Sequence, residues 1–289
     1  MPDLSRLAPM LFVLLWSSAF IAAKLGMPDA EPLSFMFVRF VLVAGAFTGL
    51  AWLRSAPWPT TWTQAGHIAW VGVLVHAIYL SGVFVAIARG LPAGLAALIV
   101  GLQPILTALI AGRALGEHTG SKQWLGLALG LIGVALVVHD RTRFESVDPL
   151  AVGFCVISLI TISIGTIHQK RYCADMNLLT GSAIQAGTAC VLTGLGAWLF
   201  ESFRITWSVE FTVSLLWLSF VVSLGAFSLL MAMIRRGEAV KVASLFYLTP
   251  PTAALLAWVF FGERLNGLGI AGIAVAAIGV ALVVRRPAA

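Results

Sequence analysis

The sequence predicts an all-α integral membrane protein, and three observations carry that expectation. Of its 289 residues, 60% are apolar and only 10% charged, against about 25% charged in an ordinary soluble domain. The apolar residues gather in runs of about 20, the length a helix needs to cross a bilayer. The chain also repeats itself after a shift of 146 residues.

Composition comes first. So few charges cannot cover a soluble protein of this size, because apolar surface left in water drives aggregation. The net charge is +6, but the basic residues stand singly between apolar runs and form no basic face. Nucleic acid is therefore not an expected partner. Cys155, Cys173 and Cys190 have no CxxC spacing and read as small core residues, so neither a disulfide framework nor a metal site is expected. Arg6 followed by the apolar run from Leu7 to Ala23 has the outline of a signal peptide. The internal repeat instead reads that run as a retained first helix.

Ten candidate spans follow: 7–27, 33–53, 66–89, 92–114, 122–139, 149–170, 177–200, 212–235, 240–261 and 266–284. They occupy nearly the whole chain. Runs of this length satisfy their backbone hydrogen bonds in lipid only as helices. With the N-terminus in the cytoplasm, the cytoplasmic side holds Arg6, Arg54, Arg113, Lys122, Lys170, Arg171, Arg235, Arg236, Lys241, Arg285 and Arg286. The other side holds Lys24, Arg39, Arg89, Arg141, Arg143, Arg204 and Arg264. That bias predicts cytoplasmic N- and C-termini.

The repeat is specific. Ala88–Val138 lies over Ile234–Val284 without a gap, and about 19 of the 51 pairs are identical. Pro104 falls on Pro250, Gly116-Glu117 on Gly262-Glu263, and Ile132–Val138 on the identical run Ile278–Val284. Upstream, Ser17 falls on Ser163, Lys24 on Lys170 and Asp29 on Asp175. The units are therefore 1–143 and 144–289, with five spans each. An odd span number inverts the second copy, an architecture that recurs in secondary transporters.

The ordered features resemble the EamA-type transporters of the drug/metabolite transporter superfamily. Leu15-Trp-Ser-Ser-Ala-Phe20 with Lys24, the segment from Pro32 to Phe40, and the paired stretches Pro104–Glu117 and Pro250–Glu263 carry the resemblance. It covers essentially the whole chain. It implies ten helices with both termini inside, and export of aromatic amino acids or related metabolites across the bacterial inner membrane.

A substrate site is expected at the midplane, beside interrupted helices in corresponding positions of the two halves. Pro104 and Pro250 are read as kinks near the middle of their spans. The fifth and tenth spans carry no polar side chain over Leu125–Val138 and Leu268–Val284, so they are expected to be scaffold. Gly126 and Gly130 suit close helix contact there. The candidate cavity residues are Trp16, Ser17, His76, Tyr79, Gln103, Thr107, Ser163, Trp217, Ser244 and Tyr247. Pairs three or four apart share a helix face, as His76 with Tyr79 or Gln103 with Thr107. Each has a plainer role: Ser and Thr bond their own helix backbone, and tryptophans pack. His76 stands out because an ionisable group inside a membrane is costly. His168 reads as a solvated helix-edge residue.

Every Asp and Glu falls at a span end or in a loop, which disfavours carboxylate-based proton coupling. Glu117 and Glu263, equivalent and at opposite faces, are candidate gates. The midplane is expected to hold no cation for phosphates and no carboxylate for a cationic drug. Both absences favour a neutral or zwitterionic cargo. Gly267-Leu-Gly-Ile-Ala-Gly272 satisfies GxGxxG but opens a membrane helix, so it is rejected as a nucleotide motif. No enzyme motif is present and no cofactor is expected. The partners expected are a small-molecule substrate and membrane lipid, with a monomer as the working unit. Another small metabolite or drug is the alternative cargo; a membrane-embedded enzyme or sensor is the alternative class.

Overall fold

The computed structural model describes residues 4–114, 121–139, 148–226, 229, 233, 245–263 and 266–284. Among them the chain is helical, with one isolated β-bridge between Ala30 and Ile205. Helix α1 spans Leu4–Gly26, α2 Pro32–Leu53 and α3 Trp62–Ala88. Two shorter helices follow, α4 Ala93–Val100 and α5 Gln103–Ala114, and then α6 Ser121–His139. The second half holds α7 Pro149–Tyr172, α8 Leu178–Phe200, α9 Val209–Ala226, α10 Thr249–Phe261 and α11 Gly267–Val284. Six of these helices are long and apolar enough to cross a membrane. The chain is a multi-pass membrane protein.

Side-chain caps set several starts. Thr61 Oγ1 accepts from the Gln64 amide at 3.2 Å, and Ser208 Oγ from the Phe211 amide at 3.0 Å. Asn177 Oδ1 accepts from the Leu179 amide at 3.0 Å and Asp148 Oδ1 from the Leu150 amide at 2.9 Å. Each satisfies an amide that the first helical turn leaves without a partner. Gly262 ends α10 in the left-handed conformation at φ +64°, where glycine carries no Cβ penalty.

Shifted by 146, the element limits nearly coincide. The limits of α2 fall on those of α8, α5 on α10 and α6 on α11. Gly72–Ile78 within α3 and Trp217–Ala226 within α9 are both π-helical, and they overlap in the same register. Equivalent helices also pack on each other, α2 on α8 and α6 on α11. The α6–α11 contact is close because glycines line it. A Cβ at Gly279 would lie 2.6 Å from the Gly126 carbonyl oxygen, and one at Gly133 2.5 Å from that of Gly272.

The prolines are not mid-helix kinks. Pro104 is the second residue of α5 and Pro250 the second of α10. Before them the chain breaks at Gly101-Leu102 and in a 3₁₀ turn, Phe246–Leu248. In a first turn the proline sacrifices no i→i−4 bond, so its ring is tolerated there. The two breaks meet: a Cβ at Gly101 would lie 2.8 Å from the Pro250 ring.

Candidate functional site

A cavity of about 180 Å³ lies between α1, α2, α3, α7, α8 and α9. Trp16, Phe20, Phe40, Phe47, Tyr79 and Phe84 give it aromatic walls. Its polar lining is Arg39, His76, Gln169, Ser182, Gln185 and Ser223. Among the described residues no Asp or Glu lines it. His76 Nε2 donates to Gln185 Oε1 at 3.2 Å, joining α3 to α8 across the cavity wall.

Three of the predicted residues, Trp16, His76 and Tyr79, line this cavity. Trp16 also packs against Phe12 and Phe246, with ring centroids 5.4 Å apart in each pair. Gln103 and Pro104 line a smaller adjoining space with Trp16, Phe20 and Tyr79, and Gln103 donates to Thr166 Oγ1 at 3.0 Å. Other predicted residues stand away from both spaces. Ser17 Oγ donates to the Thr249 carbonyl at 3.3 Å and ties α1 to α10. Ser163 Oγ bonds the Leu159 carbonyl of its own helix at 2.7 Å, the plainer role of a membrane serine. Trp217 is partly exposed, and its Nε1 donates to Ser18 Oγ at 2.8 Å. The Thr107 hydroxyl is buried without a partner among the described residues. Glu117 and Ser244 lie outside the described residues, as does the side chain of Tyr247. His168 is not a merely solvated edge residue, for its Nε2 lies 3.1 Å from His67 Nδ1.

The largest correction is Arg39. Composition assigns it to the end of the second span, and the midplane is expected to hold no cation. The structure buries it within α2, 4% exposed, on the cavity wall. Its Nη2 donates to the Leu218 carbonyl at 3.4 Å and to Ser223 Oγ at 3.2 Å, and its Nε has no partner among the described residues. Helix α9 lies over the guanidinium, and only tertiary packing puts it there. Gln185 also escapes the sequence reading, yet it occupies the position equivalent to Arg39 in the second copy and is equally buried. A polar residue at one register position inside both copies is the signal that finds the pair.

One face of the bundle is closed over this cavity. Lys24, at the end of α1, forms an ion pair with Glu263 after α10. Beside it the α1–α2 and α8–α9 connections interlock. The Glu31 carboxylate accepts from the amides of Ser202 and Arg204, both at 2.9 Å. The Glu201 carboxylate accepts from the amides of Leu33 and Ser34 at 2.8 and 2.7 Å and from Ser34 Oγ at 2.8 Å. Asp29 Oδ2 accepts from Ser208 Oγ at 2.6 Å. Arg89 and Asp148 pair at 2.5 Å, joining the ends of α3 and α7. The guanidinium and the Leu150 amide hold the Asp148 carboxyl below its ordinary pKa. At the other end the cavity reaches Phe47 and Gln169, near the opposite ends of α2 and α7.

Comparison with known proteins gives these features a setting. A protein of Salmonella typhimurium named "Probable amino-acid metabolite efflux pump" is 28% identical over 272 residues, covering 91% of this chain and 89% of that protein. The Escherichia coli protein of the same name is 27% identical over 273 residues, with the same coverage. A Bacillus subtilis transporter, YvbV, is 27% identical over 276 residues, covering 94% of this chain and 88% of its own length. A solved crystal structure matches the fold with a TM-score of 0.69 at 18% identity, over 96% of this chain and 94% of that one. The model of the EamA-like transporter family matches twice, over residues 6–139 and 149–285. Those two matches cover nearly the whole chain, which belongs to the EamA-like transporter family.

Proposed function

We propose that this transporter exports small amphipathic amino-acid metabolites, aromatic amino acids foremost, across the bacterial inner membrane. The observation that carries the reading is the aromatic-walled cavity enclosed by helices of both repeats. At 10–15 Å³ per water-sized position, about 180 Å³ holds on the order of a dozen such positions. That suits a molecule the size of phenylalanine. The rings of Trp16, Phe40 and Tyr79 would pack an apolar side chain, while Arg39, His76 and Gln185 would meet its polar end.

The architecture proposed is ten membrane spans in two inverted five-helix units, with both termini cytoplasmic, acting as a monomer. On that orientation the face closed by Lys24 and Glu263 is external, and the cavity faces the cytoplasm. Exchange between the two copies would carry the site to the other side. Glu263 then serves as an external gate, and Glu117 as its cytoplasmic counterpart by repeat position. The names of the Salmonella and E. coli relatives support an amino-acid metabolite as cargo.

Purified protein in liposomes tests this. Phenylalanine or tryptophan loaded inside should leave faster than from empty liposomes. Equal rates for both amino acids would remove the aromatic assignment.

A further inference from the structure

We propose that Arg39 binds the substrate carboxylate, and that the cavity selects aromatic or apolar carboxylates whether or not they carry an amino group. This rests on the cavity being the transport site.

Arg39 is a buried cation that no described side chain neutralises. The ion pairs among the described residues are Lys24–Glu263, Arg89–Asp148 and Arg204–Glu31. None involves Arg39, and among the described residues the cavity lining holds neither Asp nor Glu. Arginine cannot lower the cost of burial by losing its proton. Its present partners are neutral and incomplete: a carbonyl at 3.4 Å, a hydroxyl at 3.2 Å and the Met36 sulfur at 4.0 Å from Nη1. Nε is left open. Guanidinium donors match a carboxylate in a two-point, charge-assisted pair. The Phe40 and Phe84 rings flank the group, 6.0 and 5.9 Å from the guanidinium carbon to the ring centroids. They bound the space beside it and offer it no anion.

The same inventory decides the rest of the ligand. Among the described residues an ammonium group would find only neutral acceptors on the lining, and Gln185 Oε1 is already engaged by His76. A site with one excess positive charge in a low-dielectric wall favours a ligand with one negative charge. The expected order is therefore aromatic monocarboxylate, then zwitterionic amino acid, with the aromatic amine excluded. The net charge of the cargo is set by Arg39 and its size by the aromatic walls.

The test is competition against labelled phenylalanine and, separately, labelled 3-phenyllactate, by binding to the purified protein and by flux in liposomes, with unlabelled phenylalanine, 3-phenyllactate and phenethylamine as probes. Phenyllactate should compete at least as well as unlabelled phenylalanine, and phenethylamine should fail at tenfold higher concentration. Arg39→Gln should raise the half-saturating phenyllactate concentration at least about thirtyfold, the loss typical of truncating one partner of a buried charge pair. Arg39→Lys keeps the charge without the fork and should raise it about tenfold while amines stay excluded. The lysine variant and the wild-type panel carry the test if the glutamine variant does not fold. Equal competition by phenethylamine, or a folded Arg39→Gln protein with unchanged carboxylate affinity, overturns the proposal and leaves the transport reading standing. Saturable handling of phenyllactate but not phenylalanine supports it and removes amino acids as cargo. Wild-type protein that neither binds nor moves any of the three overturns both.

Discussion

The two copies of the repeat build one cavity with the same positions and different chemistry. Trp16 corresponds to Ile162, Ala23 to Gln169, Arg39 to Gln185, Phe40 to Ala186 and His76 to Val222, and both members of every pair line the cavity. The first copy supplies the cation, the imidazole and the larger rings. The second supplies an amide or an aliphatic group in each place. At the α6–α11 contact, by contrast, glycines and Ala276 pack the two copies at close quarters. Backbone geometry is held in common at that contact, where a Cβ at Gly133 or Gly279 would meet a carbonyl of the other copy. The lining differs instead in charge and ring size.

Making the lining symmetric should be the most damaging change. Gln185→Arg would place a second cation in the cavity that Arg39 lines, with no anion for either among the described residues. It should cost about 3–5 kcal/mol, the penalty of an unpaired buried charge, read as a large fall in melting temperature. An unchanged melting temperature would make the two sides interchangeable. Gly279→Ala attacks the shared part instead. Its Cβ would meet the Gly126 carbonyl at 2.6 Å, so α11 must shift, at about 1–3 kcal/mol. Substrate preference should survive among the molecules that fold; altered preference would tie the scaffold to selectivity.

His76→Leu removes the donor to Gln185 and should cost about 1–2 kcal/mol. It should also raise the half-saturating substrate concentration several-fold, where Val222→Leu changes it little. Equal effects would erase the distinction between copies. Lys24→Met should barely affect stability, below about 1 kcal/mol, since the pair is partly exposed. Its effect should appear in access: a cysteine at position 23 should react faster with a polar thiol reagent added from the closed face. Unchanged reactivity would mean that the ion pair does not hold that face shut.

Much of this fold is legible in the sequence because membranes reduce the problem to apolar runs and their register. The 146-residue shift locates the equivalent helices and the paired breaks. Leu125–Val138 in α6 and Leu268–Val284 in α11 carry no polar side chain, and the two helices pack on each other. The prolines mark the breaks in the sequence but not their role as first-turn residues, because a run of apolar letters does not show where one helix stops and the next begins. His76 and Tyr79 reach the cavity as their spacing suggests, whereas Ser17 and Ser163 spend their hydroxyls on carbonyls. Arg39 was hidden for a different reason. A lone arginine early in an apolar run looks like a charge at the water boundary, and only α9 packing over it shows otherwise.

The interlocked connections have a mechanical consequence. Helices α2 and α8 touch along their lengths, and at one end two carboxylates hold five donors across the gap between them. Their parting at that end would require all five bonds to release together. Among the described residues the other end has no such weld: Asn177 caps its own helix, and Thr180 Oγ1 reaches a single carbonyl, that of Pro57, at 2.8 Å. The pair is thus a lever clamped at one end, and the easier swing is at the end where Phe47 and Gln169 meet the cavity.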